Sequence, residues 1–149
     1  MAKRQLPEDF KEFITFLNKS KVRYLLVGGW AVGIYGNPRA TKDIDFLIAI
    51  DDENIQKLLS ALEKFGAPRV DGKVFQVKGN VFRLGRSPVQ IDIINDASGI
   101  NFEECYPRRN TVSIENIEIS LISKADLIQN KRAAGRHRDL GDIESLEKK

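Results

Sequence analysis

The chain of 149 residues carries a single cysteine, Cys105, and a single histidine, His137. One thiol excludes a disulfide within the chain, and one imidazole excludes a zinc site built from several histidines. No apolar run approaches the ~20 residues that a membrane-spanning helix needs. The opening MAKRQLPEDF also lacks the apolar core of a signal peptide. Internal repeats and low-complexity tracts are missing as well. Neither sign of charge is in great excess. A net charge of +3 and a pI of 9.0 would suit a nucleotide or RNA partner but require neither. With 42% hydrophobic and 30% charged residues, the sequence reads as one ordinary soluble domain, 1–149, long enough for a proper core. A reducing cytoplasm and no membrane are the expectation.

Two acids stand out in the run Asp43-Ile44-Asp45-Phe46-Leu47-Ile48. Side chains alternate faces along a strand, so Asp43 and Asp45 project together while Ile44 and Phe46 turn away. Carboxylates that close repel, and a divalent cation with hard oxygen ligands, Mg²⁺ or Mn²⁺, relieves them. An exposed edge strand whose acids face water is the alternative. Upstream, Val22 to Val27 reads as a buried strand that ends in Gly28-Gly29. A short helix through Tyr35 follows, broken by Asn37-Pro38. Strand, glycine turn and helix leave bare N–H groups at the helix N-terminus, a ready anion site that glycine lets a phosphate approach. Arg39 and Lys42 then set cationic side chains beside the acidic strand.

The stretch GGWAVGIYGNPRATKDIDFLI resembles the signature of the DNA polymerase β-type nucleotidyltransferase superfamily: hydrophobic-Gly-Gly, a spacer, then acid-hydrophobic-acid-hydrophobic. Val27-Gly28-Gly29 and Asp43-Ile44-Asp45-Phe46 meet it at the long end of the spacer. Gly-Gly-Trp, with Arg-x-Thr ahead of the acids, is similar to small bacterial members, including antibiotic nucleotidyltransferases and AbiEii-type toxin-like proteins. The resemblance implies an α/β (α+β) nucleotidyltransferase fold, a mixed β-sheet flanked by helices with further helices at the C-terminus. It also implies a third acid, Asp92, which interrupts the apolar strand pattern Val89-Gln90-Ile91-Asp92-Ile93-Ile94. An ion pair from Asp92 to Arg83 or Arg86 is the competing reading. Asp51, Asp52 and Asp96 fall at element ends, as helix caps or turn residues.

The tail Lys131…Arg136-His137-Arg138-Asp139-Leu140-Gly141-Asp142 is similar to the C-terminal motif of the AbiEii-like members. There the lysine reaches toward the active site and an arginine–aspartate set braces the helices. The implied chemistry is transfer of a nucleoside monophosphate from a nucleoside triphosphate to a hydroxyl, releasing pyrophosphate. Asp43, Asp45 and Asp92 would hold Mg²⁺ or Mn²⁺, with Gly28, Gly29, Lys131, Arg39 and Arg136 on the triphosphate. The acceptor could be an RNA end, a protein or a small alcohol, and a second copy or a partner protein could complete the site. Gly33 stands where Gly-Gly-Trp antibiotic-modifying relatives commonly place an acid, which weighs against such an acceptor. A metal-dependent phosphodiesterase or nuclease, or a silent antitoxin-like binding module of the same fold, are the alternatives.

Helical spacing is expected over 8–19 and 52–65, each with one apolar stripe. Ser123 should cap a helix through Lys131, Gly135 should interrupt it, and a last helix should follow. Val74–Val77 and Val81–Leu84, around Gly79-Asn80, read as a hairpin. Residues 95–109 read as a loop, and 117–122 as a short strand.

Overall fold

The computed structural model describes residues 6–36, 43–86 and 89–148. Six strands form one mixed sheet in the order β3-β4-β2-β1-β6-β5. In chain order the elements are α1 (Glu8–Lys19), β1 (Tyr24–Val27), α2 (Gly28–Tyr35), β2 (Asp43–Ile48), α3 (Asp52–Phe65), β3 (Val81–Arg86), β4 (Val89–Ile94), α4 (Phe102–Cys105), β5 (Asn110–Ile114), β6 (Ile117–Leu121), α5 (Lys124–Ala134) and α6 (His137–Glu147). β2 and β4 run parallel, as do β1 and β6, and the remaining neighbours are antiparallel.

Period-two patterning decides which face carries function. Ile44, Phe46 and Ile48 are buried, and Phe46 packs on Phe13 of α1 and Tyr24 of β1. Each such side chain contributes roughly 1.5–3 kcal/mol by leaving water. Phe13 also meets Phe65 at the end of α3, so α1 and α3 close over the same apolar side of the sheet. Asp43 and Asp45 therefore emerge on the opposite face. The expected caps are in place. Asp51 accepts from the Asn54 amide at the start of α3, and Ser123 from the Asp126 amide at the start of α5. Gly135, left-handed at φ 63°, ends α5 and allows α6 to fold back.

Two sequence expectations are corrected. Residues 72–76 form a 3₁₀ turn rather than a strand, and β3 pairs with β4 instead. The turn buries Phe75 against Phe82, and Asn95 Nδ2 donates to the carbonyls of Phe75 and Val77. A side chain thus satisfies backbone that a hairpin partner would have satisfied. The reading of 95–109 as loop misses α4, which is capped by Asn101, and the strand β5 that follows was not expected at all. β5 and β6 join through Glu115-Asn116, both at positive φ (51° and 68°), the mirror-image turn that usually announces itself with glycine.

Candidate active site

Sheet register assembles the site. Val27 of β1 stands opposite Asp45 of β2, Asp45 opposite Asp92 of β4, and Asp92 opposite Arg83 of β3. Two acids from distant segments therefore sit side by side in one row across four strands, with a cation at the edge. Asp43, two residues before Asp45, stands opposite Gln90. Gln90 Nε2 reaches back to both Asp92 oxygens at 3.2 and 3.3 Å. The three acids expected from sequence line one cavity of about 390 Å³. Gly28 and Gly29 form another part of its wall, and Arg83, Lys131, Arg136 and Arg138 supply the positive charge.

Gly28 is where the turn and the acids meet. It adopts φ +74°, and a Cβ there would lie 2.3 Å from Asp45 Oδ2. Only glycine lets β1 pass into α2 with the Asp45 carboxylate against its backbone. Among the described residues no side-chain cap closes the start of α2, and its first two residues, Gly28 and Gly29, line the cavity. Gly28→Ala is expected to lose about 1–2 kcal/mol through the left-handed backbone alone. It should also push the Asp45 carboxylate aside and weaken Mn²⁺ binding. Denaturant unfolding and a Mn²⁺ titration of the variant check both parts, and wild-type values in both would contradict the reading.

The electrostatics follow from this crowding. Burial first, then the charges of Asp92 and Asp43, push the Asp45 carboxyl from 3.8 up to about 6, while Lys131 and Arg138 pull the other way. Asp92 combines the position expected of a third acid with the ion pair of the competing reading. It lies beside Asp45, and it also accepts from Arg83 Nε at 2.9 Å. Among the described residues no three His, Cys, Asp or Glu side chains form a ready-made metal cage. The Asp92 oxygens are instead turned to Arg83 and Gln90.

Lys131 is buried, 4% exposed, with Nζ 3.4 Å from Asp139 and 3.5 Å from Asp142. Arg136 donates to Asp139 through Nε at 2.7 Å and through its backbone amide at 3.1 Å. Burial alone would raise the Asp139 carboxyl, but these bonds outweigh it and hold the pKa below the usual value. The arginine–aspartate set thus ties the start of α6 and delivers Lys131 to the cavity. Arg39 lies outside the described residues. Arg138, given no role in the sequence analysis, and Arg83, expected there only as a competing partner for Asp92, both line the cavity. For Arg138 the neighbouring Arg136 was the available signal. For Arg83 the position follows from the pairing of β3 with β4, which sets it opposite Asp92.

A protein-family profile described as "Nucleotidyltransferase of unknown function (DUF6036)" matches residues 4–147. The chain belongs to this family. A comparison with curated proteins gives no match. Among solved structures, this nucleotidyltransferase is similar to the lincomycin-bound lincosamide antibiotic adenylyltransferase LnuA, with 19% identity and a TM-score of 0.61 over 97% of this chain and 98% of that one. It is also similar to an antigenic nucleotidyltransferase-like protein from Paracoccidioides brasiliensis, at 16% identity and TM-score 0.55, covering 95% of this chain and 76% of that one. For the antibiotic-resistance factor ANT(2'')-Ia the figures are 15%, 0.54, 93% and 79%. At these identities the likeness is one of fold. The mixed sheet flanked by helices is the nucleotidyltransferase fold expected from the sequence.

Proposed function

We propose that this nucleotidyltransferase uses Mg²⁺ or Mn²⁺ to move a nucleoside monophosphate from a nucleoside triphosphate to a hydroxyl acceptor. The observation that carries the reading is the register pair Asp45–Asp92, with Gly28 packed against the Asp45 carboxylate. Hard oxygen donors from three carboxylates, one of them driven toward neutrality by burial and then by its acidic neighbours, fit a divalent cation. Asp43, Asp45 and Asp92 would hold it, Asp92 after parting from Arg83. When bound, the cation offsets charge at the phosphates and lowers the pKa of the attacking hydroxyl.

The chain's own groups do the rest. Gly28 and Gly29 seat the β- and γ-phosphates at the start of α2, and Lys131, Arg136 and Arg138 face the charge that collects on the departing pyrophosphate. The acceptor oxygen bonds to the α-phosphorus as the bond to the β-phosphate oxygen breaks. Asp92 takes the hydroxyl proton. Arg83→Gln should free Asp92. Because the Arg83 side chain is 59% exposed, the expected gain in Mn²⁺ affinity is only about two- to fivefold. Weaker Mn²⁺ binding by the variant in calorimetry would contradict this.

An RNA end or a protein hydroxyl is the favoured acceptor class. Gly33, where antibiotic-modifying relatives commonly carry an acid, is buried in α2. The tail resemblance to toxin-like members points the same way, and with it a partner protein or a second copy. No helix among the described residues is long and apolar enough to cross a membrane. The cytoplasm is the compartment proposed, where a lone thiol such as Cys105 stays reduced. The test is incubation with each labelled nucleoside triphosphate and Mg²⁺ against total RNA and cell extract, beside a labelled oligonucleotide. Label incorporated into an acceptor supports transfer. Oligonucleotide cleavage without incorporation would make the protein a nuclease, and no nucleotide binding at all would make it a silent binding module.

A further inference from the structure

A second chamber of about 360 Å³ opens beside the acid cavity and shares Gly28, Asp45, Lys131 and Arg136 with it. Its chemistry is different. Ile94, Ala97 and Ala134 give it apolar walls, and Ser98 and Asn130 place polar groups among them. Small-molecule sites have this size and this mixture. Asp43, Asp92 and Arg83 border the acid cavity but not the chamber. The chamber therefore opens from the phosphate-binding side of the site, away from the acid that faces the acceptor.

The orientation of Asn130 is fixed chemically. Its side chain lies 2.9 Å from the carbonyl oxygen of Ser98, which can only accept, so the amide nitrogen must be the atom that donates. The Ser98 segment is itself clamped to α5. Gly99, at φ +71°, sits so near the helix that a Cβ there would lie 2.6 Å from Ala133 Cβ. Ala97 and Ile100 close the segment with a β-bridge. With its nitrogen committed to Ser98, Asn130 in the chamber wall has its Oδ1 left to accept. A purine with an amine at position 6 offers a donor to such an atom, with a ring nitrogen beside it for the Ser98 hydroxyl. A purine with a carbonyl at that position offers an acceptor instead.

We propose that this chamber receives the nucleobase of the incoming nucleoside triphosphate and that Asn130 selects adenine over 6-oxo purines. The inference rests on the transfer reading above, and its test separates the two. Binding of ATP and inosine triphosphate, which differ at position 6 in amine against carbonyl, is measured by calorimetry with Ca²⁺ in place of Mg²⁺. The wild type should hold ATP about tenfold tighter, the scale of one buried hydrogen-bonding mismatch. Asn130→Leu should bind the two alike, and retained tripolyphosphate affinity would show that the variant is folded with its phosphate cradle intact. Equal wild-type affinities, or a preference that survives in Asn130→Leu, would overturn the assignment of Asn130 and leave the transfer reading standing. Absence of binding by either nucleotide would overturn both.

Discussion

Asp43→Ala and Asp45→Ala should each lower nucleotidyl transfer by about a thousandfold or more, the scale on which transition-state charge stabilisation is lost with one of its groups. Both proteins should remain folded. The core side of β2 is made by Ile44, Phe46 and Ile48, and neither acid contributes to it. Loss of a carboxylate from a crowded group also removes repulsion rather than packing. Turnover of labelled nucleoside triphosphate by the purified variants, with circular dichroism to confirm the fold, checks both halves. Near-normal turnover in either variant would refute the assignment.

Lys131→Met should be among the most destabilising single substitutions, by about 3–5 kcal/mol, because it leaves buried acids without their cation. Asp139 is fully buried and keeps Arg136, but Asp142 loses the ammonium 3.5 Å away. For a domain of this size each kcal/mol moves the melting temperature by roughly 2–4 °C. A drop of roughly 6–20 °C is therefore expected in thermal unfolding. A variant as stable as wild type would show that Lys131 is not the pivot between α5 and α6. The same substitution should weaken triphosphate binding, because Lys131 lines the cavity that holds Gly28 and Asp45.

The legible parts of the sequence were those where one residue type serves one physical demand. Period-two alternation placed Asp43 and Asp45 on one face, and helical stripes gave α1 and α3 with the bounds found. Ser123 and Gly135 marked the ends of α5 for the reasons that caps exist. What escaped was pairing between distant segments. Nothing local in Val74–Val77 tells that Asn95 will satisfy its carbonyls, and Glu115-Asn116 makes a turn without glycine. Asp92 became the third acid only through family resemblance, and register then set it beside Asp45. Its bond to Arg83 was foreseen as an alternative, whereas the structure allows the two together.

The protonation of Asp45 carries the central claim most directly. A carboxyl raised from 3.8 to about 6 is neutral in the folded state at pH values where the unfolded chain has already ionised. Its ionisation therefore opposes folding above pH 6, and that penalty disappears as pH falls to 3.8. Titration of the Asp45 side-chain carbon by NMR should give a midpoint near 6 without divalent cations. The midpoint should fall in Asp92→Asn, and fall well below the ordinary carboxylate range when Mg²⁺ is added. An ordinary midpoint near 4, unmoved by Mg²⁺ and by the Asp92 substitution, would show that these acids do not converge on a shared cation.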